Sequence, residues 1–317
     1  MILTIRSVSG LATIQDLGWA SQRAIGLPPS GAVDRAALCI ANALVGNPVT
    51  TAGIELTLGP IEIETSHSVL VAATGSVGEW RSGDQILPPA TTVALPAGSR
   101  FRLGPGPQTR FGYLAISGGM AVPEQLGSRA TYLPTGLGGW HGRGLRPGDV
   151  LPVGEPSPAP PAGTAADSIA APTETPIRIT GAGHDHLFDE RAVAALVSAP
   201  YRILPQSDRM GSRLAGPTIH PRTRATLPSE GTCLGAIQVP DDGNPIVILH
   251  DGPTVGGYPK VAAVIGADLG RFAQVPLGGQ VQFAWTSRAA AERAARQAHA
   301  ALGRLVAAIG PRDSTAR

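Results

Sequence analysis

Short runs of β-branched and other apolar residues, broken by Gly and Pro, recur along most of this chain. They fall at Ile2–Ile5, Ile54–Leu58, Ile61–Glu64, Val69–Ala73, Thr92–Leu95, Arg100–Leu103 and Phe111–Ile116. They resume at Ile177–Thr180, Tyr201–Leu204, Ala236–Val239, Ile246–Leu249, Val261–Ile265 and Val281–Trp285. Spacing of about ten residues between short strands predicts barrels or sandwiches. One turn phrase repeats, a Gly two residues before an apolar strand opening, at Gly83, Gly98, Gly148 and Gly279. It predicts hairpins, because glycine takes positive φ at no steric cost.

Helical patterns are few. Asp34–Val45 places Leu38, Ala41 and Val45 at helical spacing and stops at Gly46-Asn47-Pro48. Leu187–Val197 is a second candidate. Ala289–Ile309 is the strongest, with Leu302, Leu305, Val306 and Ile309 on one stripe. Between Pro152 and Pro176 the chain turns Pro-, Ala-, Ser- and Thr-rich, with too few large apolar residues for a core. The expected organisation is mainly β: a first β-barrel subdomain at 1–151, a linker or loop at 152–176, a second barrel at 177–287, and a C-terminal helix and tail at 288–317.

Composition narrows the function. With 43% hydrophobic and 15% charged residues, 317 residues can bury a sizeable core, and no apolar run is long enough for a transmembrane helix. The N-terminus lacks the pattern of a secretory signal and two cysteines are too few for a disulfide scaffold, so a cytoplasmic protein is expected. A net charge of +2 provides no field for nucleic acid or anionic lipid, and neither is an expected partner. Of 25 basic residues, 24 are arginine and one is Lys260. A solitary lysine marks a position where a compact ammonium is needed and a planar guanidinium fails, or else an accident of composition.

Several chemistries lack their residues. No P-loop is present, and Lys260 follows Pro259. No G-x-S-x-G elbow occurs, and Ser117-Gly118-Gly119 reads as a hairpin turn after a strand. Cys39 and Cys233 have no thiolate signature and read as small buried hydrophobes. His184 and His186 would need a third ligand to hold a metal, so they read as a solvated loop or helix entry and no metal is expected.

Four stretches carry a family resemblance. They are Thr13–Gly18 with Gly26–Asp34, Leu126–Leu133, Ser207–Leu214, and Gly256-Gly257-Tyr258-Pro259-Lys260, supported by Glu55–Gly59 and Gln238–Pro240. In order, over roughly residues 1 to 285, they resemble the biotin-dependent carboxyltransferase family in its C-subunit form. Its members include the C-subunit of 5-oxoprolinase, allophanate hydrolase subunit 2 and Kip antagonist. The resemblance implies two cyclophilin-like barrels and an active site shared with a homologous smaller subunit. It implies ATP-dependent opening of 5-oxoproline to glutamate, with ATP and magnesium bound in the complex and a third lactam-utilisation subunit. The chain departs from the family at Val255, where a Thr is usual, and at Ser212, where a Tyr is frequent.

The residues suggest roles within that frame. A lactam is a poor electrophile, so ATP is expected to phosphorylate its carbonyl oxygen, and the site must hold a carboxylate and a phosphoryl group. Arg209 and Arg213 lie four apart and would reach one pocket if Ser207–Leu214 were a turn; a guanidinium matches either anion in two parallel hydrogen bonds. Lys260, after the backbone N–H groups of Gly256 and Gly257, would stabilise charge growing on oxygen. Tyr258 adds a hydrogen bond or packs its ring on a barrel end. Asp208 orients a cation, takes a proton, or forms an Asx turn. Ser30, Gly31 and Asp34 either set the entry of the first helix or offer its free N–H groups to an anion. Glu230 and Gln238, polar residues near strand ends, are candidates to line the cavity. Two other functions fit the resemblance. One is carboxyl transfer to urea or a similar amide, which needs biotin carried elsewhere because this chain has no A-M-K-M site. The other is a non-catalytic antagonist that binds a kinase-inhibitor-like partner.

Overall fold

A computed structural model describes residues 1–167, 175–222 and 227–310. The architecture is mainly β, with four α-helices among these residues: α1 (Arg35–Leu44), α2 (Glu190–Ser198), α3 (Leu269–Gln274) and α4 (Arg288–Ile309). None of them is long and apolar enough to cross a membrane. Packing divides the chain into two units that are not collinear with the sequence. The first takes Met1–Trp19, the chain from Ser30 into the Pro-rich stretch, and Ala300 onward; the second takes Ala20–Pro29 and the chain from the end of that stretch to His299.

The first unit pairs a six-stranded sheet, built around Ile2–Val8, Ile61–Thr65 and Arg100–Leu103, with a five-stranded sheet built around Gly53–Thr57, Gly112–Ile116 and Val69–Gly75. Alternation explains the core. Ile61 and Ile63 point inward with Ile5, Ile14, Ile54, Phe101 and Leu114, while Glu62 and Glu64 face outward opposite Arg102 and Arg100. Helix α1 begins where Asp34 Oδ1 accepts from Ala37 N–H at 3.1 Å. Its Ile40, Ala41 and Leu44 pack with Ala72, Ala115 and, from the last turns of α4, Leu302, Leu305, Val306 and Ile309. The start of the 152–176 stretch is ordered against this unit: Gly163 N–H donates to Thr92 O and Thr92 N–H to Thr164 O, each at 2.8 Å.

The second unit is an eight-stranded sheet. Its order runs Gln280–Val281, Tyr201–Ile203, Gly211–Ala215, Ile246–Ile248, Ala236–Gln238, Lys260–Val264, Ile177–Thr180, Phe283–Trp285. The first and last strands are separated in sequence by Gln282 alone, so the sheet must curl until its edges nearly meet, as in a barrel. Tyr201, Phe272 and Phe283 fill its interior with ring centroids 5.9 and 6.3 Å apart. A two-stranded ribbon, Glu230–Gly231 with Val255–Gly256, completes the unit.

Some expectations need correcting. Ser207–Leu214 is not one turn: the turn ends at Met210 and Gly211–Ala215 is a strand paired with Ile246–Ile248. Leu11–Gln15, Trp80–Ser82 and Val150–Pro152 are strands whose polar or proline content hides them. At the last repeated turn the left-handed residue is Gly278, with φ of 82°, one place before the Gly279 that the pattern marks.

Candidate active site

Lys260 opens a central strand of the second unit, and its neighbours come from three other places in the chain. Across the sheet its direct partner is Gln238. A bulge between Ile237 and Gln238 re-aims the strand at this point. From the ribbon, Glu230 brings its carboxylate onto the ammonium, Oε1 contacting Nζ. From the loop after Gly183, His184 lies against both: its Nδ1 accepts the Lys260 backbone N–H at 3.4 Å, and its Nε2 stands 3.1 Å from the same Glu230 Oε1. The bond at Nδ1 fixes the tautomer, so Nε2 carries the hydrogen and donates it to Glu230.

Burial is uneven within this group. Lys260 and Gln238 are buried, His184 is partly covered, and the Glu230 side chain is 45% exposed. The ammonium beside Glu230 holds its carboxyl below the usual range, with a smaller contribution from His184. Gly256, the strand partner of Glu230, lies so close that a Cβ there would stand 2.9 Å from Gln238 Nε2 and 3.2 Å from Thr232 Cγ2. Thr232 is itself held by Pro253 O and by Arg23, whose guanidinium donates to Thr232 O. Thr254 Oγ1 donates to Gly26 O at 3.4 Å, which ties the Ala20–Pro29 segment to the same loop. Tyr258 and Val255 are exposed beside it.

The structure gathers Lys260, Glu230, Gln238, Gly256 and, two residues before the lysine, Tyr258. It places the other expected residues differently. Arg209 is buried in a bidentate pair with Asp251, at 2.8 Å from Nε to Oδ2 and 2.9 Å from Nη2 to Oδ1. Arg213 is exposed on a strand three removed from that of Lys260, about 14 Å across the sheet at normal strand spacing. The two guanidiniums therefore do not share a pocket. Asp208 caps its own turn, accepting from Met210 N–H at 2.8 Å and Gly211 N–H at 3.2 Å. Gly257 sits with its Cβ direction 3.2 Å from Leu227 O.

Ser30, Gly31 and Asp34 belong to the first unit. Ser30 and Gly31 adopt left-handed φ of 47° and 73°, and a Cβ on Gly31 would lie 2.6 Å from Gly18 N. Ser30 Oγ donates to Thr131 O at 3.3 Å. The chain supplies its own anion at this helix entry: buried Glu55 accepts from Val33 N–H at 2.9 Å and from Tyr113 OH at 2.8 Å. Burial, reinforced by the Glu55 charge, pushes the Tyr113 phenol well above its ordinary value.

His184 is the functional candidate that the sequence leaves as a loop residue. Its bond to the Lys260 backbone spans 76 residues, and no local signal announces it. His186 lies 6.3 Å from His184, ring to ring, but His184 spends both nitrogens on Lys260 and Glu230.

Known proteins resemble this chain along most of its length. The 5-oxoprolinase C-subunit of Escherichia coli is 36% identical over 277 residues, 86% of this chain and 87% of the relative. The protein of the same name from Haemophilus influenzae is 32% identical over 290 residues, 89% of this chain and 90% of the relative. The crystal structure of the Kluyveromyces lactis urea amidolyase superposes with a TM-score of 0.88 at 27% identity, covering 96% of this chain and 20% of that one. Residues 25–285 match the family described as carboxyltransferase domain, subdomain A and B, and to that family this chain belongs.

Proposed function

We propose that this chain is one subunit of an ATP-dependent 5-oxoprolinase, completed by a homologous smaller subunit and a third lactam-utilisation subunit, and working in the cytoplasm. The observation that carries the reading is the buried Lys260 ammonium with a half-exposed carboxylate as its counterion, in a chain similar along most of its length to proteins named for that activity. The reaction transfers the γ-phosphoryl of ATP to the lactam oxygen, with ADP leaving. Water adds to the amide carbon, the C–N bond breaks with a proton passing to nitrogen, and a second water releases phosphate to leave glutamate. The transferring phosphoryl group carries its negative charge on its oxygens, and a fixed ammonium beside it stabilises that charge without reorganisation. Glu230 is the counterion of Lys260 and is exposed enough to meet a ligand. Magnesium arrives with the nucleotide, held by the complex. Reconstitution with the two other subunits and a coupled glutamate assay tests this; absence of 5-oxoproline-stimulated ATP hydrolysis overturns it.

A second reading is favoured by the close superposition on the urea amidolyase structure. There this chain acts as the carboxyl-transferring part of a urea or amide carboxylase, and biotin must come from another protein. Co-purification of a biotinylated carrier, with urea-stimulated turnover, would select it.

A further inference from the structure

Two buried donor groups in the second unit have N–H bonds left over. Gln238 Nε2 has no hydrogen-bond partner among the described residues, and Lys260 Nζ has none beyond the ion contact with Glu230. The two residues are 4% and 5% exposed. Folded proteins rarely leave such donors unanswered, and do so where an acceptor is to arrive.

The geometry closes a ring around them. Gln238 is the direct strand partner of Lys260, Lys260 touches Glu230, Glu230 is the direct strand partner of Gly256, and Gly256 faces Gln238 Nε2. The missing side chain of Gly256 keeps the space beside Nε2 free. Glu230 Oε1 is pinned between Lys260 and His184, and no described residue bonds its Oε2. The ring therefore holds two donors and one acceptor, with Glu230 as its half-exposed member.

That set matches one edge of an amide only when the amide N–H and C=O lie on the same side. In an open-chain secondary amide they lie on opposite sides, and the cis form is rare. A five-membered lactam is locked cis, and urea or a primary amide carries an N–H syn to its oxygen. We propose that Lys260 Nζ and Gln238 Nε2 receive the oxygen of such a cis amide while the Glu230 carboxylate accepts its N–H, so that the site reads lactams and ureas and rejects the trans amide of a peptide. His184 is the positioning residue that turns Glu230 toward the ligand. This rests on the amide-substrate reading above and specifies which atoms are recognised.

The test uses the complete complex, with 5-oxoproline-stimulated ATP hydrolysis as readout and three neutral competitors. 2-Pyrrolidone is cis with an N–H, N-methyl-2-pyrrolidone is cis without one, and N-methylacetamide is trans. 2-Pyrrolidone is expected to compete about 10-fold better than its N-methyl analogue, through the N–H bond to Glu230, and about 10²-fold better than N-methylacetamide. Gln238→Met, which keeps length and removes the N–H, should raise the KM for 5-oxoproline about 10-fold and weaken 2-pyrrolidone in parallel. Equal inhibition by the two pyrrolidones overturns the proposal whether or not the variant folds. If the complex shows no response to 5-oxoproline, the functional reading fails separately. Ligand-observed NMR on the complex with the same three probes then decides: preferential contact of 2-pyrrolidone supports the amide edge, and equal or absent contact overturns it.

Discussion

Lys260 is buried against the Glu230 carboxylate, and the pairing has a readable sign on the carboxyl side. The ammonium, followed by the weaker effect of His184, lowers the Glu230 carboxyl from its ordinary value. A lowered folded pKa means the pair is fully present above the unfolded carboxyl's pKa and is lost as pH falls through the lower folded one. Lys260→Met should therefore move the Glu230 titration upward, as followed by carbon NMR of the labelled carboxyl; an unmoved titration would show that another group sets it. The same substitution should leave the complex assembled and reduce turnover about 10²- to 10³-fold. Arg209 behaves differently, because its partner Asp251 is 2% exposed and fully engaged. Arg209→Ala strands that carboxylate and should cost about 3–5 kcal/mol of stability by urea unfolding. Arg209→Lys should recover only part, since an ammonium cannot reproduce the bidentate fork. A loss confined to turnover, with unfolding unchanged, would return Arg209 to the active site.

Among the elements, α1 shows how a sequence signal is realised. Asp34 caps it through Ala37 N–H while its own N–H donates to Tyr113 OH at 2.7 Å. Asp34→Ala should cost about 1 kcal/mol through the lost cap alone, read as a lowered unfolding midpoint; no change would mean the Tyr113 and Glu55 contacts hold the entry unaided. Legibility followed local consistency. Ile61–Thr65 alternates so cleanly that its strand and inward face are evident from the residues, and the end signals of α1 and the stripe of α4 are equally plain. Gly211–Ala215 reads as a turn because Gly, Ser and Arg have weak strand preference, yet pairing with Ile246–Ile248 overrides it. The ribbon that carries Glu230 has two residues on each side, too few for any pattern. Lys260 stood out as the solitary lysine, and Glu230 and Gln238 as polar residues at strand ends. What joins them to His184, or Arg209 to Asp251, is contact between segments 76 and 42 residues apart, set by the curl of the sheet and invisible to any local window.

For the whole molecule, α4 and the two cysteines supply a probe of how each unit holds together internally. The helix contributes its first turns to the second unit and its last, from Ala300, to the first. There Ile309, 4% exposed, packs in the cluster that contains Ile40 and Leu44 of α1. Cys39 lies on the same helix α1, and burial pushes its thiol up to about 11. At pH 8 its thiolate fraction is on the order of 10⁻³, so the folded protein should barely react there, whereas Cys233 of the second unit, contrary to its reading as a buried hydrophobe, is exposed. Ile309→Asp places an unpaired charge in the α1 cluster and removes about 2 kcal/mol of apolar burial, which lowers the cost of opening α1. Alkylation of Cys39 should then accelerate about 10-fold or more while that of Cys233 stays constant, as resolved by peptide mass spectrometry. If both rates rise together, the substitution loosens the whole chain and α1 does not open as a separate element. If neither rises, α1 is held by its own sheet, and the stripe of Leu302, Leu305, Val306 and Ile309 contributes little to it.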